Sequence, residues 1–507
     1  MQKAEIKSMT MRGVGIVPVT VGVSIQPGLP SLDIKGGSEE ELAGIRSKVR
    51  CALREQALEV PHGKISVDID ADGASLRGAD GLALPVLCGV LAASGQVDAR
   101  AFDGFVVVGD LTLEGVVNAP ERGCVQAAVL AEATGRRLLS GPVTLPYFSG
   151  NGHRCVEYAC ELAADGEIGR EAFALPEPDL RREMDPDEVL KTAERLYDID
   201  PWLALNAANL GSARAAYVTL DEGATIEDAS SFLASALGKM DRGEFRQHAL
   251  ASSACPGRNR FGRSAAPALT LGKDDSMATL LGGGRPVQPG LLTRAGCGAV
   301  LIEDAEHRDD RLISSLIGPV QDREVRLVRA DGTYPMPADC TVLFQVGRNS
   351  EGIIETTDTT GLMAACGAHD IVNIKSEHTV HAAEVGKVAG YVRGTMRRHE
   401  REIDGLVERA IREIGPAKPG EHWQSQELRS KQIEADVRGQ VGVLLAGGAD
   451  PASLGEWEQL APETIASDLG ISVREEGVAD LEDGARGASE ALEGPGGGEH
   501  GRDEQEH

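Results

Sequence analysis

Aromatic side chains are scarce in this chain: Phe, Trp and Tyr together make up 3% of 507 residues. Its cores must therefore rest on Leu, Val, Ile and Ala. Positive charge is short as well. Lys and Arg number 51 against 79 Asp and Glu, a net charge of −28, which repels polyanions unless basic residues gather on one face, and so excludes nonspecific coating of nucleic acid. The cysteines lack a pairing pattern: nine of them, an odd number, lie scattered without a repeating spacing. That excludes a disulfide framework and reads as reduced thiols in a cytoplasmic protein. No window reaches the roughly 18 to 20 apolar residues of a membrane span, and residues 1–13 (MQKAEIKSMTMRG) have no apolar signal core. The expectation is a soluble, cytoplasmic protein without membrane contact.

At roughly 150 residues per domain the length allows about three domains with real cores. Strand and helix signals alternate over residues 14–147. Val14, Ile16, Val21, Val23 and Ile25 lead into a Pro27-Gly28-Leu29-Pro30 turn, and Ile65, Val67 and Ile69 alternate at the strand period. Between them Ser38, followed by Glu39, Glu40 and Glu41, reads as an N-cap with acids in the first turn, opening a helix to about Gln56. Residues 84–94 read as a buried helix, 105–108 as a buried strand, and Gly109-Asp110-Leu111 as a turn into another strand. Residues 1–164 are thus one mixed α/β domain. The acidic, proline-containing stretch 165–189 reads as a linker, and 190–382 as a second α/β domain.

A helical region is expected over 383–470. Val385, Val388, Ala389, Val392, Met396, Ile403, Leu406, Val407, Ala410, Ile411 and Ile414 recur at steps of three and four, and Gly415-Pro416 stops them. They predict one long amphipathic helix. Arg393, Arg397, Arg398 and Arg401 form a basic stripe on it, diluted by Glu400 and Glu402. Residues 471–507 turn to Glu, Asp, Gly and Ala and predict a disordered acidic tail.

Several separated blocks in the first domain are distinctive. They are Gly28-Leu29-Pro30, residues 45–53 (IRSKVRCAL), Leu84-Pro85 with Gly89-Val90-Leu91-Ala92-Ala93, and residues 109–115 (GDLTLEG) with Arg122-Gly123. In this order they resemble the N-terminal Lon-protease-like domain of the magnesium-chelatase-like AAA+ family, known as YifB or ComM. The resemblance resumes at residues 280–284 (LLGGG), Pro289-Gly290, residues 298–304 (GAVLIED) and residues 316–329 (LIGPVQDREVRLVR). In the family this run carries a glycine-rich insert, the Walker B strand and a hairpin. The resemblance implies a Lon-protease-like N-terminal domain followed by an AAA+ P-loop-type α/β domain, in a family of ring-forming ATPases that includes a branch-migration helicase.

The same resemblance locates the family's chemistry and finds it altered. A phosphate loop, G-x-x-x-x-G-K-[ST], needs backbone N–H groups around the phosphates, a Lys to neutralise them and a hydroxyl for Mg²⁺. No such string occurs in the chain. Counting back from the glycine-rich insert puts the loop at 218–225 (VTLDEGAT). There Gly223 and Thr225 remain, Ala224 stands in the place of the Lys, and Asp221 and Glu222 set negative charge against a polyphosphate. At Walker B the family's Asp-then-Glu becomes Glu303-Asp304, each side chain wrong in reach by one methylene. The family's N-P-C-P-C-G segment is replaced by Arg348-Asn349-Ser350-Glu351-Gly352, and the arginine of its D-R-I-D pattern is missing from residues 367–373 (GAHDIVN). Ser75 has no lysine downstream before Lys191, so the Ser-Lys peptidase pair of Lon is absent too. His153 with Cys155 and Cys160, and His378 with His381, lack the further ligands of a metal site.

The expectation is a degenerate AAA+ protein with no catalytic residue and no cofactor. Gly223, Ala224, Thr225, Glu303 and Asp304 would mark its vestigial nucleotide positions. It would serve as a noncatalytic scaffold or regulatory paralogue of an active family ATPase, joined in a ring with itself or that paralogue and linked to DNA uptake or recombination, with weak DNA binding. Two rival readings are an ATP- and Mg²⁺-dependent branch-migration motor with an unrecognised nucleotide site, and an acidic protein-binding adaptor.

Overall fold

The computed structural model describes residues 2–71, 80–150, 152–164, 166–221, 223–256, 261–330, 332–347, 361–414 and 423–452. Ser75, Glu222, residues 348–352 and the acidic tail at 471–507 lie outside the described residues.

Strands β1 (Gln2–Arg12) and β2 (Gly15–Gln26) form an antiparallel hairpin, and β3 (Ser31–Lys35), α1 (Glu39–Glu55) and β4 (Lys64–Asp70) follow. The four strands make one sheet in the order β1-β2-β4-β3. Its period-two apolar residues, among them Val21, Val23, Val67 and Ile69, share one buried face. Helix α2 (Ala83–Ser94) packs there and is buried along nearly its whole length, as its all-apolar sequence requires. Gly89 permits the close approach, since a Cβ at that position would fall 2.5 Å from Val23 Cγ2.

The rest of this unit comprises β5 (Phe105–Val107), β6 (Asp110–Leu111), β7 (Val117–Asn118), α3 (Cys124–Ala133), β8 (Arg137–Ser140), β9 (Thr144–Leu145) and β10 (Arg154–Cys155). The expected linker is in part a strap built into this domain. β11 (Arg170–Glu171) pairs antiparallel with β10, β12 (Phe173–Ala174) pairs with β9, and Ile168 is buried. The sparse apolar residues of this segment hid the pairing, which is made by backbone.

Two helices, α4 (Pro186–Ile199) and α5 (Pro201–Ser212), open the second unit, each with an Asp N-cap and a first-turn Pro. Then come β13 (Ala215–Leu220), α6 (Ile226–Ala236), α7 (Arg242–Ser253), β14 (Ala268–Leu271) and α8 (Met277–Leu281). The glycine-rich insert folds as a small hairpin of β15 (Gly282–Gly283) and β16 (Gln288–Pro289), followed by α9 (Leu291–Ala295) and β17 (Ala299–Ile302). After α10 (Asp310–Asp322), a hairpin of β18 (Glu324–Arg329) and β19 (Gly332–Pro337) leads to β20 (Thr341–Val346), α11 (Leu362–Ala365) and β21 (Ala368–Ile374). Five strands form an all-parallel sheet in the order β14-β17-β20-β13-β21. Their near-continuous apolar runs suit a sheet covered on both faces.

The long helix expected from 385 to 414 is two helices, α12 (Ala382–Arg398) and α13 (Glu400–Ile414), parted at His399. Periodicity carries across the break because each half buries an apolar stripe, but against different partners: α12 packs mainly on α5 and α6, whereas α13 packs on α14 (Trp423–Ala446). Helix α12 also belongs to the core of the parallel sheet, so the division at residue 382 does not separate two cores.

The two α/β units share a packed joint. The N-terminal end of α3 meets the end of α7, where Gly123 N–H donates to Ser253 O at 2.7 Å and Gln126 Nε2 to Leu250 O at 2.9 Å. Tyr147 packs tilted and Phe148 edge-on against Phe245, with ring centroids 5.6 and 6.1 Å away. Three of the chain's few aromatic rings are thus concentrated at this joint.

Candidate functional site

In an open parallel sheet, ligands bind outside the carboxyl ends of the strands. Strands β13 and β17 run parallel with β20 between them, so Asp221 with residues 223–225 and Glu303-Asp304 open on the same edge, about 10 Å apart at the usual strand spacing. The fold thereby brings together the two segments that the sequence marked as nucleotide positions.

Residues 221–225 alone join β13 to α6. Asp221 N–H donates to Ile374 O at 3.0 Å, Ala224 N–H donates to Asp221 O at 2.9 Å, and Gly223 takes a left-handed φ of 88°. Thr225 is the N-cap of α6. Its backbone N–H and its hydroxyl both donate to Asp228 Oδ2, at 2.8 and 2.9 Å, and Ser376 Oγ donates to the same oxygen at 3.2 Å. Asp228 N–H returns a bond to Thr225 Oγ1 at 3.2 Å, closing a capping box. A helix N-terminus favours an anion, and here the chain supplies its own. The bonds from Thr225 hold the Asp228 carboxyl below the usual carboxylate range.

Lys375, just past β21, lies in electrostatic reach of Asp221, yet its Nζ is 2.5 Å from Asp200 Oδ2. His378 Nε2 reaches the same oxygen at 3.0 Å, while His378 Nδ1 accepts from Lys375 N–H at 3.3 Å, so the ring proton sits on Nε2. Burial opposes ionisation of Asp200, but these bonds outweigh it and bring its pKa to about 2. Asp200, Glu377 and His378 place ligand atoms within 4.8 Å of one another. The Lys375 ammonium on the shared Asp200 oxygen opposes a metal cation there.

At the end of β17, Asp304 adopts a left-handed φ of 54°. Its backbone N–H donates to Gln345 Oε1 at 2.8 Å, and its carboxylate is held by His307 Nδ1 at 2.7 Å and Lys273 Nζ at 3.3 Å. The His307 bond, followed by that from Lys273, lowers its pKa. Arg308 clamps the neighbouring backbone, donating to Glu303 O at 3.1 Å and to Gly272 O and Lys273 O at 2.5 Å each. Composition and spacing single out none of Asp200, Lys273, His307 or Gln345. Asp228 was accessible, because Thr225-x-x-Asp228 reads as a capping box.

Other residues noted in the sequence are engaged elsewhere. His153 Nδ1 accepts from Leu138 N–H at 2.8 Å and its Nε2 contacts Ser149 O, Cys155 is buried, and Cys160 is exposed. Only part of the basic stripe faces outward, where Arg401 is exposed and Arg398 half-exposed. Arg393 is buried with its Nε 3.0 Å from Glu244 Oε1, Arg397 reaches Glu244 at 3.3 Å and Asp339 at 2.5 Å, and Arg398 lies 3.7 Å from Glu183. Helical periodicity placed these arginines on one side but could not show that an acid from α7 occupies it.

Two family descriptions match this chain: "Subunit ChlI of Mg-chelatase" over residues 21–142 and "Magnesium chelatase, subunit ChlI" over residues 232–372. The chain belongs to the magnesium-chelatase-like family. The "Uncharacterized protein YifB" of Escherichia coli (strain K12) is 32% identical over 127 residues, 25% of this chain and 25% of that protein. The "Competence protein ComM" of Haemophilus influenzae is 29% identical over 139 residues, 27% of each. These alignments span about a quarter of the length of the curated relatives. A cryo-EM structure of the complex between subunits BchI and BchD of magnesium chelatase aligns with 46% of this chain and 78% of its own, at 16% identity and a TM-score of 0.25. In this family member, Glu303 and Asp304 fall inside the second matched region, whereas residues 218–225 lie between the two. Among the described residues, no helix is long and apolar enough to cross a membrane.

Proposed function

We propose that this protein keeps the ATPase fold of the magnesium-chelatase-like family without its ATPase chemistry, and acts as a scaffold or regulatory partner in an assembly with itself or with an active family member. The observation that carries this reading is Asp228, whose carboxylate caps α6 at the position where a phosphate would meet a helix N-terminus. The residues present do not fit Mg·ATP. Ala224 offers no cation, Thr225 spends its hydroxyl on Asp228, and Asp304 faces Lys273 and His307. An added polyphosphate would have to displace one carboxylate and sit near Asp221, with like charges opposing it.

Similarity to the competence protein ComM supports a setting in DNA uptake, with DNA handled by a partner. The negative net charge and the internal pairing of Arg393 and Arg397 favour protein partners over direct DNA contact. Magnesium-dependent ATP turnover, measured on purified protein alone and after mixing with an active family member, tests the reading. The expected result is no turnover alone and altered turnover in the mixture. Turnover by the isolated chain that is lost on Glu303→Gln would refute it.

A further inference from the structure

A second charged recess lies at the opposite end of the parallel sheet. Arg214 immediately precedes β13, Thr341 opens β20 and Cys297 stands just before β17, so this recess meets the amino ends of the strands. It is a small recess with an open mouth, and among the described residues that line it are Arg214, Arg323, Arg393, Arg397, Arg438 and Asp339. A concentration of guanidinium groups in one cavity is unexpected in a chain of net charge −28.

Acids behind the lining fix these arginines in place. Glu434 lies 2.9 Å from Arg214, Glu400 2.7 Å from Arg323, Glu244 3.0 Å from Arg393 and Asp404 2.6 Å from Arg438. The guanidinium forks still carry more N–H donors than these carboxylates accept. Among the described residues, Arg214 Nε is buried and has no hydrogen-bond partner. Burial, then repulsion from Arg438 and Arg323, lowers the Arg214 pKa, ahead of the opposing pull of Glu434 and Glu400. Glu400 also lies 3.5 Å from Arg214 and Asp339 2.5 Å from Arg397, so what these carboxylates leave unmet is not charge but the buried Nε donor of Arg214.

We propose that this cavity binds a small phosphate-bearing anion, at a site separate from the strand ends that carry residues 221–225 and 303–304. Planar guanidinium forks match phosphate oxygens, and an anion here would supply the acceptor that Arg214 Nε lacks. The side chains at the mouth remain accessible, at 24% for Arg214, 29% for Arg323 and 23% for Arg397. Arg393 and Arg438 are only 8% and 5% exposed, which admits a small ion and excludes a nucleic-acid duplex from the inner wall.

Calorimetric titration of the full chain with inorganic phosphate, pyrophosphate and ADP, each without magnesium, tests the site. Saturable binding of pyrophosphate is expected. Arg323→Gln should weaken it about tenfold by removing a charged fork, and Arg214→Lys should weaken it several-fold by keeping the charge but losing the fork. Arg170→Gln, which removes an exposed positive charge on β11 of the first unit, outside the cavity lining, should leave it unchanged. Circular dichroism and melting establish that each variant is folded, and Arg323→Lys replaces Arg323→Gln if the latter is not. Binding of ADP with the same dependence on Arg323 assigns the phosphate to a nucleotide, and binding of the inorganic ions alone assigns it to free phosphate. Absence of saturable binding by all three probes in the millimolar range, or binding that survives both arginine substitutions, would overturn the proposal.

Discussion

The backbone N–H of Thr225 donates to the Asp228 carboxylate at 2.8 Å, and the Thr225 hydroxyl donates to the same oxygen at 2.9 Å. Helix α6 is thus capped from within, by Thr225 and Asp228. Thr225→Ala should therefore cost about 1 kcal/mol of stability, as loss of an N-cap does, measured by urea unfolding at pH 7. The folded-state pKa of Asp228 is depressed, so its stabilising contribution is present above the ordinary carboxylate range and lost as pH falls through the folded value. Asp228→Asn should remove that acid-side loss.

Glu244 ties the domain joint to the arginines of α12. Burial raises its pKa, but Arg393, Arg181 and Arg397 outweigh burial and bring it to about 2. Its contribution is present above pH 4.5, the ordinary Glu value, and is lost as pH falls through about 2. Glu244→Gln leaves buried cations without their partner, and should cost about 3 to 5 kcal/mol in urea unfolding. A loss well under 1 kcal/mol would show that the network is not held by this carboxylate.

Asp370 on β21 titrates in the other direction. Burial, followed by repulsion from Asp436 on α14, pushes its pKa to about 7. Lys431, Glu434, Arg438 and Arg214 line the cavity beside it, and its Oδ1 lies 2.8 Å from where a Cβ on Gly439 would sit. With a raised folded pKa, its stabilising contribution is complete below the unfolded value of 3.8 and is lost as pH rises through 7. Asp370→Asn should flatten this slope and make the protein more stable than wild type at pH 8, by thermal melting across pH 5 to 8. An unchanged slope would place the titration elsewhere.

Duplex DNA should bind weakly at physiological salt. Arg393 and Arg397 are committed to Glu244 and Asp339, which leaves only Arg398 and Arg401 of the expected basic stripe for counterion release. Fluorescence anisotropy should give no submicromolar affinity, and Arg401→Gln should change little. Tight, salt-sensitive binding would contradict this.

Much of the fold was legible locally. The alternation at Val21, Val23 and Ile25, the all-apolar run in α2 and the acidic start of α1 each follow from short-range pattern. The β13–α6 turn and the β17 terminus were placed by the family resemblance and by counting within it, and the parallel sheet brings them to one edge. What the sequence hid was long-range pairing. Asp200 meets Lys375 and His378 across a wide gap in the chain, and Glu244 meets Arg393 in the same way. The break at His399 was hidden for a related reason, because both halves keep an apolar stripe while changing partners. The strap at 170–174 pairs through backbone atoms that carry no side-chain signature.

The central claim is that the carboxyl edge of the parallel sheet no longer performs ATP chemistry. Magnesium-dependent phosphate release from ATP, measured on the purified chain and on Ala224→Lys, Glu303→Gln and Asp304→Asn, tests it most directly. The account predicts background rates for all four proteins, since one added cation neither displaces the Asp228 cap nor frees Asp304 from Lys273 and His307. Turnover by the unaltered chain that disappears on Glu303→Gln or Asp304→Asn would contradict it.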